Sequence, residues 1–291
     1  MQTTSPSFTT AQHQVYEEWK RYGHHVKEYL SEFIGTAFLL FFVVGVVATM
    51  FGTGSPVPHL IPSQIARLFI AGLMLGSVGW IVAVSPPGKL SGAHVNPAIT
   101  TGFLVLGKMH LKDAVGYVVS QMCGAIVGAL LGHDVFARLG QGTKSATLVP
   151  GPSVSVLIAF AAEVVTTFIL AYTVYTCVSR KTLMRYTPAI ATVAVGILVA
   201  ADGQISGCGM NPARWFGPAW TMHFWANATV YTLGPIVGAV SAALLRRVAP
   251  PGRRVPQTAK LFHDHRYRSL FKDDSVPTKL PSHVEKQASQ Q

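Results

Sequence analysis

The tripeptide Asn-Pro-Ala occurs twice, as Asn96-Pro97-Ala98 and Asn211-Pro212-Ala213. Each copy follows a glycine-rich turn, Ser91-Gly92-Ala93-His94 in one case and Ser206-Gly207-Cys208-Gly209 in the other. Two more elements recur in the same order. Glu32 with Thr36 matches Glu163 with Thr167, and the small-residue run Gly124–Gly128 matches Gly234–Gly238. The chain is therefore an internal duplication. Each copy carries three long apolar stretches, an odd number, so the second copy must enter a bilayer from the side opposite to the first.

The apolar stretches are Leu30–Met50, Ile65–Val84, Ala114–Leu131, Val154–Val178, Thr187–Ala201 and Thr229–Leu245. Each approaches the roughly 20 residues that a spanning helix needs. Two further apolar pieces, Asn96–Gly107 and Asn211–Met222, are too short to cross. Only 12% of residues are charged, about half the usual share in a soluble domain. The net charge of +11 sits between the apolar runs rather than in them, which excludes a nucleic-acid-binding face and points to membrane orientation. Lys and Arg gather in the N-terminal arm, around Lys89–Lys112, at Arg180-Lys181 and in the C-terminal tail, so both termini are expected in the cytoplasm, in a plasma or cell inner membrane. The expected organisation is an arm over 1–29, a channel domain over 30–247 with repeats at about 30–132 and 154–247, and a polar tail over 248–291. The tail, with His263 and His265, reads as solvated, with lipid headgroups or regulation as its other uses. No leader segment is read before Leu30. Cys123, Cys177 and Cys208 have no disulfide or metal spacing. Asn227-Ala228-Thr229 is a glycosylation sequon, meaningful only in a eukaryotic secretory pathway.

A segment that enters a membrane without crossing it must satisfy its backbone against protein or a water-filled cavity. Two half-helices entering from opposite faces meet at their N-termini. Pro97 and Pro212 suit the first helical position, where no N–H is needed, and Asn96 and Asn211 suit the N-cap. Each Asn amide can also turn a donor into the cavity, and the opposed helix dipoles disfavour cations there. The carbonyls of Gly92, Ala93 and His94, and of Gly207, Cys208 and Gly209, are expected to line the route as acceptors. Arg214 is expected as a fixed cation at a constriction. Glu32 and Glu163 are expected to be structural, accepting backbone N–H groups from the re-entrant loops. Acceptors in a row with donors at the centre suit a neutral hydrogen-bonding solute. No nucleophile, acid–base pair or metal cluster is read at membrane depth, so neither an enzyme, a cofactor nor a bound metal is expected. A secondary transporter also uses inverted repeats and broken helices; saturation and ion coupling would distinguish it.

From about Glu28 to Arg247 the chain resembles the major intrinsic proteins, the aquaporin and aquaglyceroporin family. The resemblance rests on Ser91–Ala98, Gly207–Arg214 and the paired glutamates. It implies an all-α fold of six tilted spans and two re-entrant half-helices, and a homotetramer with one pore per subunit. It also implies a selectivity filter of four positions: Arg214, Cys208, Val199 and a residue of the second span. For the last, matching Ile70–Leu73 gives Ala71, whereas an ungapped count gives Gly76, because Pro86–Leu90 looks like added length. Water-selective members have His where this chain has Val199. Trp215 differs from the Asp typical of glycerol channels, Ala219 and Tyr231 look like the water-channel type, and Thr232 departs from the Trp of water channels. A ring of Ala, Val and Cys around one Arg is wide, so passage of water with glycerol, hydrogen peroxide or a neutral metalloid hydroxide is expected; a strictly water-selective pore is the alternative.

Overall fold

The computed structural model describes residues 16–21, 23–248, 256–273, 279 and 282. The remaining parts of the expected arm and tail lie outside the described residues. The apolar runs and the shorter pieces between them form ten α-helices between residues 26 and 248: α1 Val26–Phe51, α2 Val57–Leu60, α3 Gln64–Val84, α4 Pro86–Ser91, α5 Pro97–Val105, α6 Leu111–Phe136, α7 Val156–Val178, α8 Thr187–Asp202, α9 Pro212–Thr221 and α10 Ala228–Val248. Six of them, α1, α3, α6, α7, α8 and α10, are long and apolar enough to cross a membrane. Helix starts follow local chemistry. The Ser63 and Ser155 side chains accept the N–H groups of Ala66 and Ile158, which satisfies donors that a helix leaves unpaired at its start. The Pro86–Leu90 segment before the first Asn-Pro-Ala lies in α4, opened by a Ser85 cap and two prolines.

Packing repeats the duplication. In the first half α1 lies on α6, in the second α7 lies on α10, and α3 meets α8 between the halves. Glycine permits the close approach. A Cβ at Gly124 would sit 2.3 Å from the Phe33 carbonyl oxygen, and one at Gly128 2.1 Å from that of Ala37; one at Gly238 would lie 2.4 Å from that of Val164. The outward faces remain apolar and exposed, with Leu30 and Ile34 on α1, Val119 on α6, Val165 and Ile169 on α7 and Val193 and Ile197 on α8. Such a continuous apolar exterior is suited to lipid and not to water. The chain is an integral membrane protein.

The segment 256–273 departs from the expected solvated tail. Thr258, Ala259, Lys260, Ser269, Leu270 and Phe271 are fully buried. The segment lies across the end of the bundle where α1 begins and α10 ends. Gln257 N donates to Val178 O, Leu261 N to Gly92 O and Lys272 N to Lys108 O. Arg268 makes a two-pronged ion pair with Glu28, at 2.7 and 2.9 Å, and Lys89 pairs with Asp264 at 3.3 Å. Lys260 Nζ donates to Lys89 O and Arg268 O, and burial pushes its ammonium down to about 8. Eighteen polar-looking residues thus find their partners far away in the chain, a kind of contact that local composition does not report.

Candidate functional site

The two glycine-rich turns fold alike. Gly92, Ala93 and Val95 have φ of 92°, 55° and 42°; Gly207, Cys208 and Met210 have φ of 89°, 53° and 52°. Left-handed backbone is costly for side-chain-bearing residues, above all β-branched Val95. A buried carboxylate behind each turn holds it. Glu32 accepts from His94 N (3.0 Å), Val95 N (2.7 Å), Ser91 Oγ (2.7 Å) and Gln121 Nε2 (2.7 Å). Glu163 accepts from Gly209 N (2.6 Å), Met210 N (2.7 Å) and Ser206 Oγ (2.7 Å). Tyr117 donates to Ser91 O and Tyr231 to Ser206 O, closing the pattern in each half.

The half-helices α5 and α9 begin at these turns. Asn96 caps α5 by accepting from Ala98 N, and Asn211 caps α9 by accepting from Ala213 N. Each Asn also donates across the duplication axis, Asn96 Nδ2 to Met210 O and Asn211 Nδ2 to Val95 O, both at 2.9 Å. One amide hydrogen per Asn remains, and both residues line a cavity of about 160 Å³. That space is large enough for a few waters at about 30 Å³ each. Pro97, Ala98, Pro212 and Ala213 are buried in the first turns of the half-helices and do not face it.

Of the other expected residues, Ala93, His94, Cys208, Gly209, Val199 and Arg214 line the cavity. Arg214 Nη1 donates to Ala146 O at 2.7 Å, and that carbonyl is presented by a loop in which Lys144, Ser145 and Ala146 all have positive φ. Three expectations are corrected. Ala71 packs among Val46 and Met50 of α1 and does not face the cavity, whereas Gly76 does. Five residues apart on a helix means about 140° of rotation, so only one of the two registers can face inward. The Gly92 carbonyl is not free, because Leu261 N donates to it at 3.0 Å. Gly207 lies against Leu148, outside the cavity lining.

Several participants carried no mark in the sequence. Gln121 Nε2 donates to Thr100 Oγ1 as well as to Glu32, and Thr100 Oγ1 lies 3.2 Å from His94 Nδ1. His94 Nε2 lies 2.7 Å from Ala259 O. A carbonyl only accepts, so the His94 proton is on Nε2 and Nδ1 accepts from Thr100. Asp202, one residue past the expected fifth span, is bridged to Glu163 by Ser206 Oγ, at 2.6 and 2.7 Å. Tyr117 and Tyr231 were the findable ones, since they occupy matching places after the two boxes.

The cavity runs along α8 from Pro188 to Val199, about 16 Å at 1.5 Å per residue. Its wall is mainly apolar, crossed by the Asn pair, loop backbone and one cation.

Comparison with known proteins agrees with this geometry. The family model described as "Major intrinsic protein" matches residues 18–246. Aquaporin TIP1-1 of Arabidopsis thaliana is 38% identical over 232 residues, covering 77% of this chain and 86% of its own. Aquaporin AqpM of Methanothermobacter marburgensis is 34% identical over 236 residues, covering 75% and 95%. The X-ray structure of the aquaglyceroporin from Plasmodium falciparum superimposes with a TM-score of 0.62 at 24% identity, covering 78% of this chain and 97% of that one. With its inverted halves, paired Asn-capped half-helices and the cavity between them, the chain belongs to the major intrinsic protein family of membrane channels.

Proposed function

We propose that the protein is a passive channel for water and small uncharged solutes, glycerol among them, that excludes ions and protons. The observation that carries this reading is the pair of Asn amides at 2.9 Å from opposite-half carbonyls, each with a donor left for a solute. The N-terminal ends of α5 and α9 add positive potential at the same place, and Arg214 adds a full charge. Asn96 and Asn211, held by Pro97, Ala98, Pro212 and Ala213, form the pore centre, and Arg214, Cys208 and Val199 form the filter. Ala93, His94, Cys208 and Gly209 lend it their backbone. Lys89, Lys108, Lys112, Arg180 and Lys181 lie toward the end carrying both termini, which supports a cytoplasmic assignment for that end. The apolar exterior suits a homotetramer in a plasma or cell inner membrane.

Width decides the solute. Val199 and Cys208 put neither an aromatic ring nor an imidazole beside Arg214. Vesicle swelling in matched sucrose, glycerol and urea gradients should show glycerol entry in the wild type. Val199→His should lower the glycerol-to-water ratio about tenfold, the effect of about 1.4 kcal/mol at the barrier. Entry of water alone in the wild type would make the pore strictly water-selective, and saturation at low solute would favour a transporter.

Cys208 offers a second test. It lines the cavity, while Cys123 is exposed and Cys177 buried away from it. A mercurial should stop most water flow in the wild type and little of it in Cys208→Ser. Undiminished inhibition in Cys208→Ser would move the reactive thiol elsewhere.

A further inference from the structure

At the termini side the cavity wall includes a residue from outside the channel domain. Leu261 lines it, packing with Phe262 on Val82, Ala83, Ala93 and Val95. The backbone of this segment is tied to the first glycine-rich turn itself. Leu261 N occupies the Gly92 carbonyl, Ala259 O accepts from His94 Nε2 at 2.7 Å, and the Phe271 ring stacks on the His94 ring at 5.3 Å. Tyr117, which holds the Ser91 carbonyl, also packs its ring edge-on to Phe271. A chain of hydrogen bonds thus runs from Glu32 through Gln121, Thr100 and His94 to the backbone of the C-terminal segment.

We propose that residues 256–273 are an autoinhibitory cap, which closes the termini-side mouth with Leu261 and raises conductance when it leaves. The inference rests on the channel reading given above. The clamps that hold the cap are separate from the conducting cavity: the Arg268–Glu28 pair, the Lys89–Asp264 pair and the Lys260 contact to Lys89 O. Joint loss of these charge pairs and hydrogen bonds would free the segment, which gives the proposal its two states, seated and released. Release also frees the Gly92 carbonyl from its bond to Leu261 N. An apolar Leu side chain at the entrance has nothing to offer a hydrated solute.

The test uses the full chain in vesicles, with water permeability normalised to protein. Leu261→Ala removes the stopper, and Glu28→Arg expels the Arg268 clamp; the charge swap Glu28→Arg with Arg268→Glu restores it. If the wild type is capped about four-fifths of the time, each single variant should gain about fivefold, and the swap should return to near the wild-type value. Tryptic cleavage after Lys260, which is fully buried when seated, should accelerate in Glu28→Arg and slow again in the swap; a merely misfolded variant would be cut throughout and not be rescued. Permeability above lipid background but equal in all samples overturns the cap and leaves the channel standing. Loss of permeability in Leu261→Ala with wild-type protease resistance also overturns it, since the segment would then be part of the conducting wall. Permeability at lipid background in every sample removes the channel reading and the cap with it.

Discussion

Replacing Glu163 by Ala should abolish permeation and impair assembly. The carboxylate is the shared acceptor for Gly209 N, Met210 N and Ser206 Oγ, all within 2.7 Å. A buried donor left without an acceptor costs about 1–3 kcal/mol, so removing three acceptor contacts costs several, comparable to a domain's whole stability. The loop it supports also holds Cys208 and Met210 in left-handed backbone, and without the carboxylate that backbone relaxes. Relaxation withdraws Met210 O, the acceptor of Asn96. We expect at least tenfold lower water permeability per protein in Glu163→Ala by stopped-flow light scattering, with a lower yield of folded protein. Glu163→Gln keeps one acceptor oxygen and should fall between. Wild-type flow in Glu163→Ala would show that the turn holds itself.

Arg214→Val should let charge through. The guanidinium is buried and fixed by Ala146 O at 2.7 Å, so its charge cannot swing away from a passing ion. Two unit charges 4 Å apart at an effective dielectric of 20 repel by about 4 kcal/mol, roughly a thousandfold in rate. The α5 and α9 dipoles remain in the variant and limit the leak. Planar bilayers and vesicles loaded with a pH dye should report proton or cation flow above the wild type. Glycerol flow should rise as well, because Val is shorter and leaves the ring wider. Unchanged ion exclusion in the variant would assign the whole barrier to the half-helix ends.

Much of the frame was legible because it rests on periodic or repeated signals. Six apolar runs and two proline-started pieces correspond to α1, α3, α6, α7, α8, α10, α5 and α9 with ends shifted by a few residues. The duplicated glutamates led directly to the two turns they hold. What escaped had a common cause. Gln121, Thr100 and Asp202 are single polar residues in or beside apolar runs, and their meaning comes only from who faces them across the bundle. Ala71 and Gly76 could not be ranked because α4 breaks the count between the second span and the first box. The buried tail escaped for the strongest version of that reason. Its partners, from Glu28 to Val178, are spread over most of the chain, and nothing in a run of Lys, Arg, His and Asp announces burial.

The crossed bonds between the halves have a consequence for how the protein is made. Asn96 donates to Met210 O and Asn211 to Val95 O, pairs separated by 114 and 116 residues. A ribosome adding about 5–20 residues per second therefore delivers the first loop on the order of ten seconds before its counterpart exists. Through that interval the Val95 carbonyl and one Asn96 amide hydrogen sit at the heart of a half-built molecule with no protein partner. Lipid cannot satisfy them. The nascent first half must keep water or insertion machinery beside its loop until the second half arrives, and any delay in translation between the two prolongs the time when the intermediate is open to quality control.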